Sequence, residues 1–266
     1  MLGAIIGDIV GSRFEWHNIH RKDFTFFKDS CFFTDDSVMT FALAKAILVW
    51  DDEKRPSYER LAELSVKYMR EIGILYPNAG YGVHFRVWLS DPKMGPYNSC
   101  GNGSAMRVSP VGYAARTPEE CILMSKAVTA VTHNHPDGIK GAEATAVQIF
   151  MARNGSSIDD IREIETKYYY PIDTTVDELR KVYKWCSVCD GTCQAAFLSL
   201  YEATSYEDAI RNAISLGGDS DTIAAICGGI AEAVFGIPED IKETGLSYLD
   251  DRLRNIYIAF FDRFIK

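Results

Sequence analysis

No stretch of this sequence stays apolar long enough to cross a bilayer. The longest run of apolar and small residues, around Ile223 to Ala231, falls far short of the roughly 20 residues a spanning helix needs. There is no Ser/Gly or Pro tract, no run of five like charges and no repeat of fixed period. Those absences remove the linker, charged-tail and solenoid classes. Alternation of apolar and polar residues over six or more positions is scarce, so a sheet has little to build on. Positive charge is in deficit: 28 Lys and Arg against 37 Asp and Glu leave a net charge of −9. Neither nucleic acid nor anionic lipid is expected as a partner. Met1 to Gly11 is apolar but has no basic leader and includes Asp8. The cysteines (Cys31, Cys100, Cys121, Cys186, Cys189, Cys193 and Cys227) are odd in number, which fits reduced thiols and a cytoplasmic protein.

What is present is helical periodicity. Leu61, Leu64, Tyr68 and Ile72 recur at three- and four-residue steps with charged residues between them. Ala209, Ile210, Ala213 and Ile214 trace a second apolar stripe, and Asp221 to Phe235 is rich enough in Ala and Ile to be buried on most sides. Thr117, Pro118, Glu119 and Glu120 read as a helix start: an N-cap, a proline at the first position, then acids in the first turn. Only Tyr168 to Tyr170 suggests a short extended piece. The expectation is an all-α protein of about ten or more helices, with residues 1–266 forming one domain.

Two acidic clusters share one design. Thr34, Asp35 and Asp36 precede the apolar run Val38 to Trp50; Gly217, Gly218, Asp219, Ser220, Asp221 and Thr222 precede Ile223 to Phe235. Helix capping is the plain explanation, worth about 1 kcal/mol, but one cap per helix suffices. Two carboxylates about 5 Å apart repel by on the order of 3 kcal/mol at an effective dielectric of about 20. Hard divalent cations would neutralise them: four aspartates match the charge of two Mg²⁺ or Mn²⁺ ions, with Thr34 and Thr222 adding neutral oxygens.

These clusters are not isolated. Gly3-Ala4-Ile5-Ile6-Gly7-Asp8 with Gly11 and Glu15, then Phe33 to Ser37, then Gly101-Asn102-Gly103-Ser104-Ala105-Met106-Arg107, then Thr132-His133, and finally Gly217 to Thr222 occur in that order. The set resembles the ADP-ribosylglycohydrolases, the family of dinitrogenase reductase-activating glycohydrolase and the ADP-ribosylhydrolases. The resemblance implies an orthogonal multi-helix bundle around a binuclear Mg²⁺ or Mn²⁺ cleft. It implies release of ADP-ribose from an ADP-ribosylated protein, arginine favoured and serine possible, or from a small ADP-ribosyl conjugate. Carried over, the metal ligands are Thr34, Asp35, Asp36, Asp219, Asp221 and Thr222.

Cleavage of such a bond passes through an oxocarbenium-like state, and a carboxylate activates water. The resemblance gives that role to Glu15; Asp36 and Asp219 are catalytic fallbacks, though a metal ligand is a poorer base. Gly101, Asn102, Gly103 and Ser104 are expected to cradle the diphosphate on backbone N–H groups, with Met106 in the same motif and His133 as a phosphate donor. Arg107 serves either phosphate or an acidic ligand. Gly80, Tyr81, Gly82, Tyr97, Asn98 and Ser99 are expected to line the same cleft, and Trp16, His17 and His20 to flank its acceptor side.

Other motifs carry less. His133-Asn134-His135 invites a transition-metal reading, but a shared face needs a strand, and none is expected. For His135 a structural role is at least as good. Cys186, Cys189 and Cys193 lack a fourth zinc ligand at suitable spacing, so buried thiols are the default. Two alternatives to the glycohydrolase stay open: another Mg²⁺-dependent nucleotide or phosphoester hydrolase, and an ADP-ribose-binding protein without turnover.

Overall fold

The computed structural model describes all 266 residues and contains helices and loops, with no strand. Only one isolated antiparallel bridge, Gly101 to Val188, breaks the pattern. Fifteen α-helices follow in order: α1 (Leu2–Gly11), α2 (Asp35–Asp52), α3 (Tyr58–Gly73), α4 (Val83–Ser90), α5 (Gly103–Met106), α6 (Ser109–Ala114), α7 (Pro118–Thr129), α8 (Pro136–Arg153), α9 (Ile158–Tyr168), α10 (Val176–Val182), α11 (Cys189–Tyr201), α12 (Tyr206–Ser215), α13 (Ser220–Phe235), α14 (Glu239–Ser247) and α15 (Asp251–Phe264). A 3-10 turn, Ser12–Phe14, extends α1. One apolar core runs through them from Met1 to Phe260.

Local sequence explains the boundaries. Thr117 caps α7 by accepting the Glu120 N–H at 3.1 Å, with Pro118 inside the first turn. The stripe Ala209, Ile210, Ala213 and Ile214 is fully buried on α12. On α3, Met69 is buried where Tyr68 was expected; Tyr68 lies at the edge of the core. Tyr168 to Tyr170 is not extended. The Ser157 capping box starts α9, which runs to Tyr168, and the Tyr169 and Tyr170 N–H groups close on the Glu165 carbonyl. A sound N-cap and continuing i→i−4 bonds outweigh the β-preference of three tyrosines.

The pair that positions the site is α1 with α13. They run antiparallel, because Gly3 meets Gly228 while Gly11 meets Asp221. A Cβ on Gly3, Gly7 or Gly11 would fall 2.2, 2.1 or 2.5 Å from Gly228 O, Ala224 O or Asp221 Cα. Only glycine permits that approach, and the i, i+4 spacing puts all three on one face. The contact brings the C-terminal end of α1 to the N-terminal end of α13. No helix is long and apolar enough to cross a membrane.

Candidate metal centre and its cleft

Three helix ends converge here: the end of α1 and the starts of α2 and α13. Thr34 caps α2, its hydroxyl accepting the Asp36 N–H at 3.3 Å. Asp35 and Asp36 are thereby released from capping. At α13, Gly217 and Gly218 take φ of +77° and +70°, a left-handed turn that glycine adopts without strain. They deliver Asp219 to the N-cap position, yet its side chain makes no capping bond. It accepts instead from Asn102 Nδ2 at 2.7 Å. Capping therefore does not account for the acids on either helix.

Carboxylate oxygens of Asp8, Asp36 and Asp221 lie within 4.8 Å of one another, and so do those of Glu15, Asp219 and Asp221. Asp221 belongs to both groups. None of these residues, nor Asp35, joins a salt bridge. Asp36 Oδ2 receives the hydroxyls of Thr222 (3.3 Å) and Thr34 (3.4 Å), while Asp36 Oδ1 and Asp221 Oδ1 are buried without a partner. Burial and then the neighbouring carboxylates hold Asp36 and Asp221 well above the usual carboxylate range. Asp35 is pushed up to about 8, first by desolvation and then by Asp8 and Asp219. Half-buried Glu15 rises to about 7 through desolvation, Asp219 and Asp8. An all-oxygen donor set with orphaned buried oxygens suits hard divalent cations such as Mg²⁺ or Mn²⁺.

Asp8 is the residue that the sequence reading quoted within a motif but gave no role. It sits within apolar α1, the one acid there. Its Oδ1 receives the Thr34 hydroxyl at 2.7 Å; its Oδ2 receives the N–H groups of Thr34 (2.9 Å) and Ser37 (3.1 Å) and the Ser37 hydroxyl. An acid amid a helix of Ile, Val and Gly was the available signal.

An open cleft of about 410 Å³ lies over the centre, within the range of small-molecule sites. Glu15, Asp35, Asp36, Asp219, Asp221 and Thr222 line it, as do Gly80, Gly82, Ser99, Gly101, Asn102, Gly103, Met106 and His133. Thr34, Tyr81, Asn98 and Ser104 do not. The Thr34 hydroxyl is buried between Asp8, to which it donates at 2.7 Å, and Asp36. Tyr81 turns into the core, its hydroxyl donating to Gly73 O at 3.2 Å. Asn98 takes φ of +55°, its N–H donating to Asn134 Oδ1. Ser104 donates to Gly138 O at 2.8 Å. A motif read as a block thus includes side chains that the local backbone turns toward the core or a neighbouring segment. Trp16, His84, Phe85, Trp185 and Ser187 also line the cleft; of these, only Trp16 was singled out by the sequence.

Arg107 is buried, donates to Thr132 Oγ1 at 2.7 Å and lines the cleft with no carboxylate partner. His133 Nδ1 faces Thr132 Oγ1 at 2.8 Å and Arg107 Nη2 at 3.4 Å. Burial, and then Arg107, push its pKa well below the usual imidazole range, so it is neutral. A Cβ on Gly103 would lie 3.2 Å from His133 Nε2, so glycine keeps that side clear. His135 instead caps α8, accepting the Asp137 N–H at 3.2 Å. Cys189 and Cys193 are buried free thiols. Asn18 ties the loop after Glu15 to the α13 turn, exchanging bonds of 2.9 Å with Gly218 O and N.

The fold and the site thus define a class: an all-helical protein whose helix ends gather unpaired carboxylates beneath an open cleft. The chain belongs to the ADP-ribosylglycohydrolase family, whose model matches residues 1–264. It is 24% identical over 296 residues to the ADP-ribosylarginine hydrolase Tri1 of Pseudomonas putida, covering 99% of this chain and 77% of that protein. It is 25% identical over 337 residues to the ADP-ribosylhydrolase ARH3 of Xenopus tropicalis, covering 97% of this chain and 94% of the relative. A solved structure described as an ADP-ribosylglycohydrolase-related protein complex superposes with a TM-score of 0.67 at 20% identity, covering 98% of this chain and 96% of that one. That last likeness shows the fold.

Proposed function

We propose that this protein is a divalent-metal-dependent hydrolase. It cleaves the glycosidic bond joining ADP-ribose to an acceptor, either an ADP-ribosylated side chain, arginine before serine, or a small conjugate. The carrying observation is the set of buried carboxylates with two unpartnered oxygens at the starts of α2 and α13. Asp35, Asp36, Asp219, Asp221 and Thr222 would hold two Mg²⁺ or Mn²⁺ ions, with Asp8 beside them. Thr34, the sixth donor the resemblance implies, donates its hydroxyl proton to Asp8 and so keeps an oxygen lone pair for a cation. When bound, the cations neutralise the carboxylates and polarise the ribose oxygens.

The chain's own residues do the rest. Glu15 takes the proton of the attacking water; it lines the cleft with a carboxylate oxygen within 4.8 Å of those of Asp219 and Asp221. Asn102 fixes Asp219 by its 2.7 Å bond. Of the Gly101–Gly103 turn, Gly103 has its N–H left for the diphosphate, since Gly101 donates to Ser99 Oγ and Asn102 to Ser187 O, and buried Arg107 supplies the positive charge that the protein's overall balance lacks. His133 is a neutral donor rather than a cation.

The test is product analysis on arginine-, serine- and O-acetyl-linked ADP-ribose, with and without chelator. Free ADP-ribose, released only with divalent metal, is the expected result. AMP or inorganic phosphate would mean attack at phosphorus, and binding without turnover would mean a non-catalytic reader of ADP-ribose.

A further inference from the structure

Trp16 and Trp185 stack across the cleft lining, ring centroids 4.8 Å apart and planes 19° from parallel. Trp16 directly follows Glu15. Trp185 lies two residues before Ser187, whose carbonyl accepts the Asn102 N–H at 2.9 Å. Two separately anchored loops thus each bring one indole to the Glu15 side of the cleft. Both indoles keep solvent-exposed surface: Trp16 is 73% exposed and Trp185 44%. Large aromatic surface left in water beside a built site marks a binding surface.

The nucleotide end of the substrate has provision elsewhere. Arg107, His133 and the Gly103 N–H serve its phosphates, and Tyr97, 6.0 Å from the His133 ring, offers an aromatic face beside them. What lies next to Glu15 is the bond to be cut, and beyond it the acceptor. Glu15 is the lining carboxylate outside the four aspartates that two cations would neutralise, and Arg107, placed with the phosphates, is the one Lys or Arg in the lining. An indole face attracts cations, and a guanidinium is planar enough to stack on it.

We infer that Trp16 and Trp185 form an acceptor platform that favours a planar cationic leaving group, the guanidinium of arginine, over acceptors attached through a hydroxyl. This rests on the ADP-ribosyl hydrolase reading above. Trp185 is the cleaner probe, because Trp16 adjoins the proposed base.

The experiment compares wild type, Trp185→Ala and Trp185→Phe on arginine-linked and serine-linked ADP-ribose, with inhibition by free ADP-ribose measured alongside. Trp185→Ala is expected to lower kcat/KM on the arginine linkage about tenfold, chiefly through KM, the size of one desolvated cation–π contact. The serine linkage is expected to change less than about twofold, the Ki of ADP-ribose to hold, and Trp185→Phe to recover most of the loss. Equal losses on both linkages, or a parallel rise in the Ki, assign the indole to the shared nucleotide and overturn the proposal. No loss on either overturns it as well, as does a wild type that cleaves only the serine linkage. Those outcomes leave the hydrolase reading standing; a wild type that releases ADP-ribose from neither linkage removes both. If wild type accepts only the arginine linkage, a raised KM at constant Ki is the supporting result.

Discussion

Carboxylate oxygens of Asp8 and Asp221 lie within 4.8 Å of each other, and both side chains are buried amid the same negative charge. They differ in their supply of donors. Asp8 receives four hydrogen bonds from Thr34 and Ser37, and its pKa is raised only to about 6, burial being opposed by those bonds. Asp221 keeps an oxygen with no partner, and burial lifts it well above the usual range. A buried carboxylate with its donors supplied holds two segments together. A buried carboxylate without them is costly unless a cation arrives. The first sort is part of the frame, the second part of the site.

The sharpest way to break that distinction is Asp221→Asn. It is expected to reduce ADP-ribose release by more than about 100-fold, a loss already typical of groups that merely support a metal ligand. The same change removes a carboxyl whose charged form the metal-free fold disfavours. The chelator-treated variant should melt about 2–4 °C above chelator-treated wild type, which corresponds to roughly 1 kcal/mol. Divalent metal should then raise the wild-type melting temperature and the variant's far less. Near-normal turnover in Asp221→Asn would remove Asp221 from the site.

Asp8→Ala sharpens the other side. It strips acceptors from the buried Thr34 and Ser37 N–H groups and from both hydroxyls. Urea unfolding of the metal-free protein should show a loss of about 3–5 kcal/mol, even after some repulsion is relieved. Were Asp8→Ala as benign without metal as Asp221→Asn, the two aspartates would not differ in kind.

The difference between them also explains what was legible in the sequence. Helix starts were readable because capping is local: Thr117 and Pro118 act within four residues. The duplicated acid pairs were readable because two carboxylates before a buried helix exceed what a cap needs. Asp8 was not, since its partners lie 26 and 29 residues away and nothing local encodes them. Trp185 meets Trp16 only through tertiary structure, and its neighbourhood gives no motif. Tyr81 and Ser104 fell inside good motifs but point away, because a motif fixes backbone position before it fixes side-chain direction.

A second pair repeats the contrast far from the cleft, at smaller scale. Glu120 accepts from Arg116 (Nη2 2.7 Å, Nε 3.0 Å) and Arg55 (2.9 Å); burial alone would raise its pKa, but those cations hold it below the usual value. Glu165 has one neutral donor, Gln148 Nε2 at 3.0 Å, and an Oε1 with none. Burial pushes its carboxyl up to about 8, with Lys140 only partly opposing; Tyr169, Tyr170, Tyr201 and Cys193 are the other titratable groups beside it. A carboxyl that binds its proton more tightly when folded contributes stability that is complete below the unfolded pKa and is lost as pH rises through the folded one. That window runs here from about pH 4.5 to about 8. Glu165→Gln removes the loss. Relative to wild type, it should gain roughly 3 kcal/mol of stability between pH 5 and pH 8, being near neutral at the lower value, read by urea unfolding at both. The pH dependence separates charge from packing, since a packing change would be the same at both. A constant offset, or a benefit confined to acid, would show that Glu165 is ionised in the fold after all and that a missing donor does not mark a carboxylate as strained.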